Sequence, residues 1–324
     1  MKFKSELGLP LAAGSIAALG WAGPDWLSFL LTLAFAKGLV VLGVVLQMRA
    51  GLVSFGQALY YCIGGYAAGL AAKHLGIQDA IVLLALGVVA SLMMAALCGI
   101  MVARYRDIFY AMLSMALSMI VYGMLVKSSA LGSTDGFNVA NPSYLGFQPD
   151  PSQAKRVAFL VTLAIALVAA LVCHRVLRSR FGRLSEAVRE NEIRVDFLGI
   201  SPFGLVYLNY CGAAVLSALG GGLIAIATGH VDPDMAFWAT SGEFVFMALL
   251  GGTAHVAAPF VAAIVFSAVR TFAIQEAPHL WQLTLGSVLL ALILFLPKGL
   301  WSLVSRRRAA VPAEIPSVTK EVSP

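Results

Sequence analysis

Charge is scarce in this chain: 12% of its 324 residues are Asp, Glu, Lys or Arg, against 60% that are hydrophobic. A soluble domain carries about twice that share of charge, so the composition excludes one and makes the bilayer the solvent in which the chain folds. Cysteine is sparse too. Cys62, Cys98, Cys173 and Cys211 lie scattered in or at the ends of apolar runs, without the spacing of a metal or redox site, and read as packing residues. Five histidines show no ligand spacing, and no phosphate-binding loop, nucleophile elbow or H-E-x-x-H motif occurs. No catalytic apparatus is visible; no cofactor, metal or nucleic-acid partner is expected. Paired acids near the middle of an apolar span, which a proton-coupled carrier needs for its relay, are also lacking.

What is present is apolar length. A spanning helix needs about 20 mainly apolar residues. Stretches near 26–48, 80–103, 107–127, 157–174, 203–227 and 280–297 meet that need, and shorter or glycine-broken ones lie at 7–23, 52–72, 242–254 and 256–275. The expected fold class is an all-α, polytopic membrane bundle of about ten segments with an internal repeat. Basic residues in short loops mark the cytoplasmic side: Lys2, Lys4, Arg49, Arg104, Arg106, the cluster from Arg175 to Arg194, and Arg306 to Arg308. Ten crossings put all of these inside, with both chain termini cytoplasmic, provided 242–275 splits at Gly251, Gly252 and Pro259. Lys73, Lys127, Lys155 and Arg156 then fall outside. The N-terminal apolar run has the outline of a secretory signal, but its removal would invert the clustered arginines, so it is read as the first crossing. Residues 1–305 form the transmembrane domain, and 306–324 a polar, proline-containing tail expected to be disordered.

Charge is concentrated in one place. Of the 22 Lys and Arg and 16 Asp and Glu residues, ten fall between Arg175 and Asp196, a polar island flanked by two long apolar spans. At 100° per residue, Leu184, Ala187, Val188, Asn191, Val195 and Leu198 share a narrow stripe, with Arg183, Glu186, Arg189, Glu190, Glu192, Arg194 and Asp196 around the rest. The pattern predicts a surface helix over about 183–199. Ile193 and Phe197 give it a second apolar patch, which suits an element joining two bodies. An interfacial helix held by anionic membrane lipid is the competing account.

Within the spans, charge is costly by about 2.5–3.5 kcal/mol at a helix centre, so each ionisable group there is a functional candidate. Lys37 lies mid-span, Glu243 at the outer start of a later span, and His255 and Arg270 near segment ends. Lys37 either packs against carbonyls and water or serves transport; Glu243 is either a helix N-terminal charge or part of an outer mouth. Two glycine-rich stretches, Ser54 to Gly69 and Gly242 to Pro259, fall in opposite halves, as paired repeats would, or serve tight packing alone. Outside the membrane, Ser128 to Arg156 is the longest loop, and Thr228 to Ser241 carries Asp232-Pro233-Asp234, Phe237 and Trp238.

Several of these stretches resemble one family. R-A-G-L-V-S-F-G-Q-A-L-Y-Y-C-I-G-G-Y-A-A-G-L from Arg49 to Leu70 is similar to a signature of LivM-type permeases of branched-chain amino acid ABC importers. So are Ile108 to Met119, Gly132 to Gly136, Gly182 to Ile200, Ser241 to Pro259 and Phe295 to Leu300. The resemblance implies a permease subunit of the bacterial inner membrane, working with a sister permease, two cytoplasmic ATPase subunits and a periplasmic substrate-binding protein. It implies that Arg183, Glu186, Ala187, Arg189, Glu190 and Asn191 contact an ATPase, with Gly199 closing the helix. Ser54, Gln57, Ser114, Ser118 and Tyr122, polar without charge, are candidates for the translocation pathway beside Lys37 and Glu243. Gln57 stands where the family usually has His, Gly65 where Ala is usual, and Thr253-Ala254-His255 in place of a Gly-rich turn, which leaves cargo open between branched-chain or related amino acids and urea or short amides. A secondary carrier acting alone and an intramembrane enzyme are the other classes; the first would rely on Lys37, and the second lacks a nucleophile or metal constellation.

Overall fold

A computed structural model describes residues 13–302, except 19, 22, 140–141, 145, 149, 151–152, 277–278 and 296–298. The starting methionine region and the 306–324 tail lie outside the described residues. The chain forms a helical bundle: α1 (Asp25–Arg49), α2 (Gln57–Leu75), α3 (Ala80–Val102), α4 (Asp107–Lys127), α5 (Ala154–Arg178), α6 (Arg180–Glu190), α7 (Glu192–Phe197), α8 (Pro202–Thr228), α9 (Trp238–Gly251), α10 (Ala258–Glu276) and α11 (Trp281–Phe295).

Among the described residues six helices are long and apolar enough to cross a membrane: α1, α3, α4, α5, α8 and α10. That is fewer than the ten expected, and the shortfall has physical causes. Helix α2 is 19 residues long but carries Gln57, three tyrosines, Lys73 and His74. Helices α9 and α11 have 14 and 15 residues, and at 1.5 Å per residue neither spans about 30 Å of hydrocarbon alone. The segment expected at 7–23 falls partly outside the described residues. The long stretch 242–275 does divide: α9 ends at Gly251, and α10 begins only at Ala258.

Helices α1 and α8 form the axis of the bundle. Every residue from Gly38 to Gln47 is buried, as are most of α8 from Leu216 to Ile226. Buried so completely, both read as apolar all round rather than amphipathic. Helix α8 meets α2 through glycine. A Cβ on Gly64 would strike the Ala218 carbonyl, and one on Gly221 the Tyr61 carbonyl, so α8 and α2 touch backbone to backbone. In lipid, where apolar side chains gain little by leaving the solvent, such close approach is what holds helices together.

On the face opposite the charged island, a two-stranded ribbon pairs Phe137 with Val231 and Asn138 with His230. It ties the long 128–153 loop to the end of α8. The Asp232 side chain accepts from the Met235 amide at 3.2 Å and starts a short 3-10 turn, Pro233–Ala236, that leads into α9.

Candidate transport and coupling sites

The charged island is not one helix. It is α6 followed by α7, separated by Asn191 in an extended conformation (φ −162°, ψ 103°). The cause is local: the Asn191 side chain accepts from the Arg194 amide at 3.0 Å and caps a new helix, the role Asn fills better than almost any residue. The break turns α7. Val188 and Val195 are buried, as the stripe requires, but Leu198, expected on that stripe, is 72% exposed. Gly199 follows with φ +75°, the left-handed end that glycine adopts without cost. Ile193 and Phe197 are 68% and 88% exposed, so α7 presents an apolar tip to whatever lies below the bundle.

Three contacts fix this pair of helices to the spans. Asn209 of α8 donates to the Ser185 hydroxyl at 2.9 Å, anchoring α6 on the bundle axis. Arg49, the last residue of α1, donates to the Thr253 and Ala254 carbonyls at 2.9 and 3.2 Å and pairs with Glu186 at 3.3 Å. Arg106, at the start of α4, holds Glu192 of α7 through two bonds of 3.0 and 2.7 Å, the fork-on-fork geometry that makes Arg pairs directional. Arg189 and Glu190 line a polar hollow of about 430 Å³ with Arg49, Glu186, Thr253 and Ala254. Arg183 is exposed and bonds the Arg178 carbonyl, and Ala187 is half-buried against the core.

Of the uncharged pathway candidates, Ser54, Gln57 and Ser114 gather at the first turn of α2, which begins inside the bundle, whereas Ser118 and Tyr122 pack on the 233–237 turn. A helix start leaves amides without helical partners, and here serines supply them. Ser114 accepts from Phe55 at 3.2 Å, Ser54 from Gly56 at 3.2 Å, and Ser241 from Ala58 at 3.0 Å. Gln57 donates to Gln47 at 2.9 Å and accepts from Ser217 at 2.6 Å. Ser118 donates to the Ala236 carbonyl at 2.7 Å, and the Tyr122 ring lies 5.1 Å from Phe237. Ser54, Gln57, Ser114 and Ser118 are no more than 1% exposed.

Lys37 and Glu243 come together elsewhere. Lys37 Nζ lies 3.7 Å from Glu243 Oε2, and Arg270 Nη1 reaches both Glu243 oxygens at 3.1 and 2.8 Å. The three groups line a cavity of about 590 Å³ between α1, α9 and α10. The sequence marks each of them as a charge in an apolar span; nothing in it pairs them, because α1 and α10 become neighbours only in the fold. The Arg49 and Arg106 clamps escape sequence reading for the same reason, although both arginines stand at helix ends next to the charged island.

Residues 26–296 match the family described as the permease component of branched-chain amino acid transport systems. The chain belongs to this family and is a membrane permease component. It is 26% identical over 289 residues to the high-affinity branched-chain amino acid transport system permease protein LivM of Escherichia coli strain K12, covering 81% of this chain and 67% of that one. It is also 24% identical over 291 residues to LivH of Salmonella typhimurium, covering 83% and 92%, and 24% identical over 288 residues to BraD of Pseudomonas aeruginosa, covering 83% and 92%. No solved structure matches the chain at a significant level.

Proposed function

We propose that this chain is one membrane subunit of an ATP-driven ABC importer that carries branched-chain or related amino acids inward across a bacterial cytoplasmic membrane. In this reading it crosses the membrane ten times, with α2, α9 and α11 as shortened crossings and both termini inside. It works with a sister permease, two ATPase subunits and a periplasmic binding protein. Hydrolysis takes place on the ATPases and not on this chain.

The observation that carries the reading is the helix pair α6–α7, charged, tipped with exposed Ile193 and Phe197, and tied to the spans through Ser185, Glu186 and Glu192. Arg183, Glu186, Ala187, Arg189, Glu190, Asn191 and Gly199 form or shape the ATPase contact. Asn191 is the hinge: α6 is anchored to α1 and α8, whereas α7 grips α4 through Glu192 and Arg106. A push from the closing ATPase pair tilts α7, and α4 follows, a rigid-body change between two states with different contacts. Lys37 and Glu243 face the pathway in the state described above. Ser54, Gln57, Ser114, Ser118 and Tyr122 join it when the first turn of α2 and its α4 neighbours part.

A secondary carrier is the second reading, favoured by the intramembrane charges Lys37, Glu243 and Arg270. One experiment separates the two. The chain is tagged in its host, extracted gently, and its companions identified by mass spectrometry. Recovery with a second permease and ATPase subunits is the expected result; recovery alone, with uptake into liposomes that lack ATP, would establish the carrier instead.

A further inference from the structure

Helix α5 carries its outward face in one line and ends that line in cations. Leu160, Val168 and Val172 are 37%, 60% and 55% exposed, and Ala164 among them is exposed as well. At 3.6 residues per turn these four fall within an arc of about 120°, with the buried Phe159, Leu163, Ala166 and Cys173 opposite. The stripe is about 18 Å long, a little more than the roughly 15 Å of one hydrocarbon leaflet. Arg175 and Arg178, exposed on the last turn of the same helix, fall inside the same arc. Ser179 then breaks the helix in an extended conformation (φ −73°, ψ 179°), and Arg180 follows, exposed, at the start of α6. No Asp or Glu occurs between Asp150 and Glu186, and Glu186 is already paired with Arg49 at 3.3 Å. Among the described residues the Arg175 and Arg180 side chains make no ion pair.

We infer that this stripe and its arginines bind an acidic phospholipid of the cytoplasmic leaflet, with an acyl chain along Leu160 to Val172 and the phosphate on Arg175 and Arg178, Arg180 beside it. The inference rests on the importer reading, which puts these arginines on the cytoplasmic side. Guanidinium forks meet phosphate oxygens two at a time, and each arginine near an anionic leaflet favours association by roughly fivefold. A zwitterionic headgroup gains less, because its own cation meets three others. Position favours lipid over the ATPases as the partner: Arg175 and Arg178 belong to the spanning helix and continue its outward line, whereas the apolar tip at Ile193 and Phe197 stands on α7. A lipid held there pins the α5–α6 corner to the membrane surface, on the far side of the Asn191 break from α7.

The test uses the assembled importer in phosphatidylcholine vesicles that contain a trace of phosphatidylglycerol with a diazirine on one acyl chain. After illumination the labelled residues are mapped by mass spectrometry, with unlabelled phosphatidylglycerol or phosphatidylethanolamine of the same chains present as competitor. Labelling is expected on α5 between Leu160 and Val172, with phosphatidylglycerol displacing the probe at least tenfold better than phosphatidylethanolamine. In the triple variant Arg175→Gln, Arg178→Gln, Arg180→Gln that preference should fall below twofold. If the variant fails to assemble, the displacement series on the unsubstituted importer decides. Equal displacement by the two lipids, or labelling confined to other helices, overturns the site. A disulfide between Val168→Cys and a cysteine placed on the sister permease assigns the stripe to that subunit and overturns the site as well. ATP-driven amino acid uptake by the same vesicles is followed alongside: its absence strikes the importer reading, whereas its presence with equal displacement removes the lipid site alone.

Discussion

Gly212 and Gly221 stand on the same helix, and their surroundings set opposite outcomes for the same substitution. A Cβ at 221 collides with the Tyr61 backbone, which cannot swing aside, while none of the surrounding atoms comes within 4 Å of a Cβ at 212. Gly221→Ala should lower stability by about 1–3 kcal/mol through overpacking, and Gly212→Ala should raise it by about 0.5–1 kcal/mol through helix propensity. Thermal unfolding in detergent compares the two directly. At the cavity, Glu243→Gln leaves Lys37 and Arg270 without their shared counter-charge. Loss of one partner from a buried pair costs about 3–5 kcal/mol; with 17–32% of these side chains exposed, a loss below that range is expected in the same melting experiment. Single residues of this kind are legible in the sequence only as oddities: a lysine or a glutamate in an apolar run announces itself, but its partner does not.

The helix pair under the bundle makes its predictions at the level of elements. Arg106 and Glu192 are partly solvated, 25% and 39% exposed, so Arg106→Ala should change stability by no more than about 1 kcal/mol. It should nevertheless lower uptake per ATP hydrolysed, because α7 then loses its hold on α4; equal ratios in variant and parent would show that the clamp transmits nothing. Arg189→Ala with Glu190→Ala should likewise leave the chain inserted while separating hydrolysis from uptake. Asn191→Ala removes the cap of α7 at a cost of about 0.5–2 kcal/mol, and faster hydrogen exchange over 192–197 is the expected sign. Periodicity identified this region as an amphipathic surface element, and its charge density set it apart from everything else in the chain. The break at Asn191 stayed hidden because an asparagine on a helical stripe looks the same whether it continues a helix or starts one. A capping box would have given it away, but the position three residues on is Arg194 and not Glu or Gln.

Across the whole molecule, length and apolarity located the long spans to within a few residues, since continuous hydrocarbon-soluble sequence has few other uses. The short helices were harder. Helix α2 starts inside the bundle, where protein groups rather than lipid satisfy its first amides, and α9 is only 14 residues long; hydropathy measures neither. The ten-crossing topology can be tested from either side of the membrane: Thr134→Cys should react with an impermeant thiol reagent added outside intact cells, and Ser179→Cys only after the cells are opened. Reaction of both from one side would overturn it.

The glycine seam joining α8 to α2 has a consequence for how such a machine can move. With carbonyl set against α-carbon and no layer of side chains to slide over, the seam has no intermediate positions to pass through. It serves as a stator. Helix α4 is different: 22% of its most apolar stretch is buried, against 78% for α1 and 72% for α8. In the proposed importer the lightly packed α4 is then the part free to shift against that fixed seam, so that alternating access is a matter of which door moves.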